Sequence, residues 1–159
     1  MKKYFLVLAL SMASLCLFAQ AGEWGIGINL GYGSRAELPL VGINFSYGIT
    51  DEIRVAPSFD GFLRGDGFRA WTLNTNFHYL FPVSPTINLF PVLGATLAGW
   101  QTCKEYGGDV NDLIRVGANV GGGMDYLINE RFRIGLVLKY SIVSGFDQFV
   151  PTINIMYRF

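Results

Sequence analysis

Past its first two dozen residues the chain has no run of 18 or more apolar residues, so no helix in it can span a bilayer, which takes about 20. Charge is scarce as well. Only 15% of residues are Asp, Glu, Lys or Arg, and 12 Lys+Arg stand against 12 Asp+Glu, which leaves no basic footprint for nucleic acid. There is one histidine, His78, and two cysteines, Cys16 and Cys103. Zinc sites need such residues in clusters, and none is present. Asp109 and Asp112 share a loop-like segment, where two carboxylates read as solvated rather than as a cation site. No phosphate-binding glycine motif occurs either. Gly121-Gly122-Gly123 falls inside a strand-like segment, where glycine signals close packing or a bend. These absences exclude a helical membrane protein and a nucleic-acid binder, and no cofactor or metal is expected.

What is present points back to the membrane. Hydrophobic residues make up 51% of the chain, and mean hydropathy is +0.34. Hydrocarbon offers no partner for backbone N–H and C=O groups, so only helices and closed barrels cross it. With helices excluded, a barrel is the remaining solution.

The N-terminus is a separate matter. Lys2 and Lys3 precede an apolar stretch from Phe5 to Phe18, and Ala19-Gln20-Ala21 supplies a small-x-small cleavage pattern. This is expected to be a Sec-type signal peptide over residues 1–21, cleaved before Gly22, with a single mature domain over 22–159. A lipoprotein signal ending at Cys16 is the alternative, although Leu15 is bulky for that position and Ala13 stands where Leu is usual. Removing the signal leaves Cys103 as the one thiol, so no intramolecular disulfide can form.

The remaining sequence alternates with period two, the signature of strands with two unlike faces. Trp24, Ile26, Ile28, Leu30 and Tyr32 face away from Gly25, Gly27, Asn29 and Gly31. The pattern returns in Val41 to Ile49, Ile53 to Asp60, Ala70 to Phe81, Ile114 to Tyr126, Phe132 to Ile142 and Phe149 to Phe159. Between the fourth and fifth of these, Thr86 to Gln101 has apolar residues on both parities, and its register stays open. A bulge near Pro91 would account for it. Turns are expected near 50–52, 82–86 and 127–130, and loops near 33–39, 64–68, 102–112 and 144–148. The 102–112 segment is the longest. The prediction is an all-β, eight-stranded antiparallel up-and-down transmembrane β-barrel.

Alternation alone also fits a lipocalin-like barrel with its apolar side inward, or an aromatic-rich β-sandwich. Face composition separates these readings. The polar face is dominated by Gly, Asn, Ser and Thr, with Arg54, Asp60, Arg115, Asp125, Arg133, Lys139 and Arg158 scattered on it. Small residues suit a narrow lumen, whereas a solvated exterior carries Lys and Glu in quantity. Aromatic residues gather at both strand ends: Trp24, Tyr79, Phe81, Tyr126, Phe132, Tyr157 and Phe159 at one, Tyr32, Trp71, Tyr140 and Phe149 at the other. Two such belts match the two membrane–water interfaces.

With its export signal, eight amphipathic strands and terminal Asn154-Ile155-Met156-Tyr157-Arg158-Phe159, the chain resembles the small OmpA/OmpX-like outer-membrane β-barrel domain family. The resemblance implies location in the outer membrane of a Gram-negative bacterium, in contact with lipid and lipopolysaccharide. It also implies recognition of Phe159 and Tyr157 by the barrel-assembly machinery. No peptidoglycan-binding domain is expected after the eighth strand. For function the leading expectation is a non-enzymatic integral outer-membrane protein acting in envelope integrity or surface interaction, with loop 102–112 as the site for an extracellular partner. A lipid-modifying enzyme is the second reading, and a narrow channel or small-ligand carrier the third. Catalysis would need a base beside a nucleophile. His78 sits in Asn76-Phe77-His78-Tyr79, unlike the His-x-Ser arrangement of lipid A deacylase barrels, and Ser84 lies in the next turn. No catalytic, cofactor or metal residues are assigned. The inward charges are expected to pair across the lumen.

Overall fold

The computed structural model describes residues 22–63, 68–102 and 111–159. The proposed signal peptide, Cys103 and Asp109 lie outside them. The described residues form strands β1 (Trp24–Gly33), β2 (Leu38–Gly48), β3 (Ile53–Phe62), β4 (Phe68–Tyr79), β5 (Phe81–Ser84), β6 (Ile87–Thr102), β7 (Asn111–Leu127), β8 (Phe132–Val143) and β9 (Gln148–Arg158), and no helix. All pairings are antiparallel and run in the order β4-β3-β2-β1-β9-β8-β7-β6-β5, with β4 also paired to β6. That last pairing closes the ring. Strand β5 continues β4 along β6 in one register, His78 opposite Val92 and Phe81 opposite Leu89, so the two form one stave. The barrel therefore has eight staves, and its edges are paired as lipid requires.

The faces are inverted relative to a water-soluble barrel. Outward side chains such as Val116 and Leu93 are 75% and 67% exposed, while Arg54, Asp60 and Asp125 are at most 3% exposed. Strand β8 shows the alternation without a break: Phe132, Ile134, Leu136, Leu138, Tyr140 and Ile142 out, Arg133, Gly135, Val137, Lys139 and Ser141 in. Both aromatic belts are present. At the end holding the chain terminus, Trp24 packs on Tyr47 at 4.7 Å, Phe132 on Tyr157 at 5.2 Å and Tyr157 on Phe159 at 5.0 Å.

Four expectations are corrected. Pro82 to Ser84 is strand, and the turn contracts to Pro85-Thr86, where Ser84 Oγ accepts from the backbone N–H of Thr86 and Ile87. Proline is tolerated there because β5 pairs on one side only. Strand β6 carries no bulge at Pro91. Its pairing with β7 runs unbroken from Ile87 opposite Tyr126 to Thr102 opposite Asn111, and the irregularity lies between Pro82 and Ser84. The mixed parity has another cause: Phe90 and Val92 are apolar yet point inward. Of the 102–112 segment expected as loop, Thr102, Asn111 and Asp112 belong to strands. Arg115 sits on the inward parity, but it lies at the rim and is exposed.

Candidate functional site: the lumen

Every stave contributes inward side chains, and these divide into three zones. Across the middle runs a hydrogen-bonded belt. Asn44 Nδ2 donates to Asn29 Oδ1 at 2.5 Å, and Asn29 Nδ2 donates to Asp60 Oδ1 at 2.8 Å. Asp60 Oδ2 accepts from Ser58 Oγ at 3.1 Å and from Asn74 Nδ2 at 2.9 Å. Asn119 Nδ2 donates to Oδ1 of both Asn74 and Asn76 at 2.9 Å, and Asn119 Oδ1 accepts from Ser141 Oγ at 2.7 Å. The belt thus crosses from β2 to β8 through fully buried amides. Asparagine serves this role because its short side chain carries both a donor and an acceptor. Lys139 Nζ lies 3.9 Å from Asp60 Oδ2. Ser141→Ala removes one bond and leaves Asn119 Oδ1 without a donor, so a loss of about 1–2 kcal/mol is expected in denaturant titrations of the purified barrel. A change below about 0.3 kcal/mol would mean that the belt does not act as a unit.

The second zone lies at the terminus end. Arg54 Nη1 donates to Asp125 Oδ2 at 2.7 Å, and the same guanidinium donates to His78 Nδ1, with Nη2 at 3.0 Å. A guanidinium only donates, so Nδ1 is the acceptor and the imidazole proton sits on Nε2. His78 stacks on Phe90 at 4.5 Å, and Arg54 lies 5.0 Å above the same ring. Gly123 makes room for that ring, because a Cβ there would stand 2.5 Å from Phe90 Cε2. This is the close packing expected of the triple glycine. Arg133 reaches Asp125 Oδ2 at 3.6 Å and donates to Ser46 Oγ at 3.3 Å and to Met156 Sδ. At the rim, Arg158 pairs with Glu23.

His78 is therefore inward and near the terminus end, as the alternation places it, but its Nδ1 is taken up by Arg54. Ser84 is bound to the turn backbone instead. The structure does not bring a nucleophile and base together at His78. Among the described residues no group of three or more His, Cys, Asp or Glu side chains is placed to hold a metal ion.

The third zone was not read from the sequence. At the loop end Leu40, Phe62, Ala70, Ala98, Val143, Phe146 and Val150 form a buried apolar plug. Phe146, on the 144–147 loop, stacks on Trp100 at 4.8 Å and meets Phe62 edge-on at 6.2 Å. Gly145 has φ +82°, a left-handed conformation that glycine adopts without strain, and it turns the loop inward. The signal available was Leu40, Val143 and Val150 on a parity otherwise polar. A smaller apolar cluster, Leu80, Phe90, Val92 and Val137, lines one wall.

No protein-family model matches the chain, and no curated protein does. Solved structures do. The N-terminal β-barrel domain of Pseudomonas aeruginosa OprF superposes with TM-score 0.69 at 19% identity, covering 87% of this chain and 98% of that one. Ail, the attachment invasion locus protein of Yersinia pestis, gives 0.66 at 16% identity, covering 87% and 99%. Neisserial surface protein A gives 0.61 at 14% identity, covering 86% and 93%. The chain has the fold of the eight-stranded outer-membrane β-barrels.

Proposed function

We propose that the chain is an exported, non-enzymatic integral outer-membrane protein, a barrel that anchors short external loops and serves envelope integrity or surface interaction. The observation that carries this reading is a lumen filled by its own hydrogen-bonded side chains inside a predominantly apolar exterior. Eight staves enclose room for side chains and little else. Here the belt around Asn74 and Asn119 occupies the middle and Phe146 plugs one end. The outward face and its two aromatic belts fit lipid and lipopolysaccharide. Residues 1–21 act as the export signal, and Phe159 with Tyr157 is the element read by the barrel-assembly machinery. The loop within 102–112 is the candidate contact for an extracellular partner. One structural neighbour, Ail, has also been solved with the heparin analogue sucrose octasulfate, which supports a surface-interaction role.

Cell fractionation with N-terminal sequencing, followed by planar-bilayer recording of the purified barrel, tests the proposal. Expected are recovery in the outer membrane, an N-terminus at Gly22, heat-modifiable gel mobility and no stable conductance. Recovery in the cytosol or inner membrane would overturn the location. A large steady conductance would replace the scaffold with the channel reading.

A further inference from the structure

We propose that the free edge of β7 at the loop end is a docking site for an extended segment of an extracellular protein, one that adds as a strand and alternates apolar with acidic side chains. The inference rests on the surface-interaction reading and gives it a place on the barrel. Residues 111–116 pair with β6 without a break, from Asn111 opposite Thr102 to Val116 opposite Leu97. On its other side β7 meets β8 only from Gly117 opposite Val143 onward. Beyond Val143 the chain turns away from that seam. Phe146 N–H donates to Val143 C=O, Asp147 Oδ1 accepts from Val143 N–H, and the Phe146 ring packs into the plug. Residues 111–116, about 20 Å of strand, thus have one neighbour among the described strands. No proline or bulge interrupts this edge.

The ladder decides which backbone groups the edge offers. Ile128 N–H donates to Phe132 C=O at the turn, and the register runs unshifted from there to Gly117. Even-numbered residues of β7 therefore face β8, and Ile114 turns its N–H and C=O to the free edge. The side chains lie outside the bilayer. Tyr140 of the loop-end aromatic belt stands opposite Val120. Ile114 is six residues further along the strand, roughly 10 Å past the belt once tilt and stagger are allowed for. Yet Ile114 is 61% exposed and Val116 75%. On the other parity Arg115 is exposed, and no carboxylate of a described side chain pairs with it. An added strand would satisfy the backbone, cover Ile114 and Val116 with apolar side chains and set an acidic one beside Arg115. A second copy in the same membrane does not fit. Both β7 strands would descend, and strands tilted about 40° lean opposite ways where two barrels face, so the edges would cross.

The test uses the purified barrel in nanodiscs and two labelled peptides of about ten residues, long enough to cover the edge, alternating valine with glutamate or with lysine. Fluorescence anisotropy should show saturable binding of the glutamate peptide. Ile114→Pro should weaken it about tenfold or more, by removing an edge N–H that β6 does not use. Arg115→Glu should move the preference to the lysine peptide. Heat-modifiable mobility reports whether each variant keeps the barrel, and outer-membrane recovery tests the surface reading separately. A correctly placed barrel that binds neither peptide, or binds the glutamate peptide equally well as Ile114→Pro, overturns the edge site alone. So does a dimer of the barrel that Ile114→Pro dissolves, which would give the edge to a second copy.

Discussion

Asp60→Ala is expected to destabilise the barrel by about 3–5 kcal/mol, the range for removing one partner of a buried ion pair. Asp60 is 2% exposed and serves four groups at once. Its Oδ1 accepts from Asn29, its Oδ2 accepts from Ser58 and Asn74, and Lys139 Nζ stands 3.9 Å away. Alanine takes the acceptor from Asn29 and Ser58, leaves Asn74 Nδ2 only its longer bonds to Ser58 Oγ and Thr72 Oγ1, and leaves Lys139 as an isolated cation inside the wall. The loss should appear as a lower urea midpoint, followed by heat-modifiable mobility or tryptophan fluorescence in lipid vesicles. Two further variants divide the effect. Asp60→Asn keeps an acceptor oxygen but not the charge, and should fall between wild type and Asp60→Ala. Joining Lys139→Met to Asp60→Leu removes both charges, and should recover much of the loss, because a buried pair replaced by apolar residues of similar size is often neutral. If Asp60→Ala costs less than 1 kcal/mol, the belt is not what fills and holds the lumen.

The period-two pattern placed the inward residues on the staves with clean alternation, Arg115 at the rim excepted, because in a barrel of two unlike media the outward positions must be largely apolar. Arg54, Asp60, Asp125, Arg133 and Lys139 were placed inside by parity alone, and the structure finds all five buried. Which of them pair was not legible. Asp125 lies far from Arg54 in sequence, and the two meet only when the sheet closes. Strand β6 was ambiguous because the lumen is not polar throughout. Phe90 and Val92 on β6 join Leu80 and Val137 in an apolar patch, so the two faces no longer differ in polarity there. The same physics hid the plug: Phe146 comes from a loop, where periodicity carries no information, and it seals the barrel by packing on Trp100. Turn positions slipped by one to three residues for a local reason. Prolines mark turns by their missing N–H, but Pro82 occupies a strand paired on one side, where that N–H is not required.

Ile43→Arg is expected to cost about 2–4 kcal/mol, although Ile43 is 49% exposed on the outward face. The size of that penalty decides what medium surrounds the barrel. Ile43 stands mid-strand on β2, between Ile28 of β1 and Phe59 of β3, which are 48% and 47% exposed. If water wetted this surface, an exposed Ile→Arg change would shift stability by no more than about 0.5 kcal/mol and would improve solubility. In hydrocarbon the guanidinium has no partner and must drag water inward or bend toward the interface. Depth supplies the control. Tyr32→Arg places the same side chain in the aromatic belt at the loop end of β1, where the cost should fall to about 0–1 kcal/mol. Equilibrium unfolding from vesicles measures both variants on one scale. A steep difference between the two positions fixes the apolar face as lipid-facing, with its midplane near Ile43. Equal and small effects would instead assign that face to a protein partner or to water, and the inverted distribution of side chains would then need a different cause.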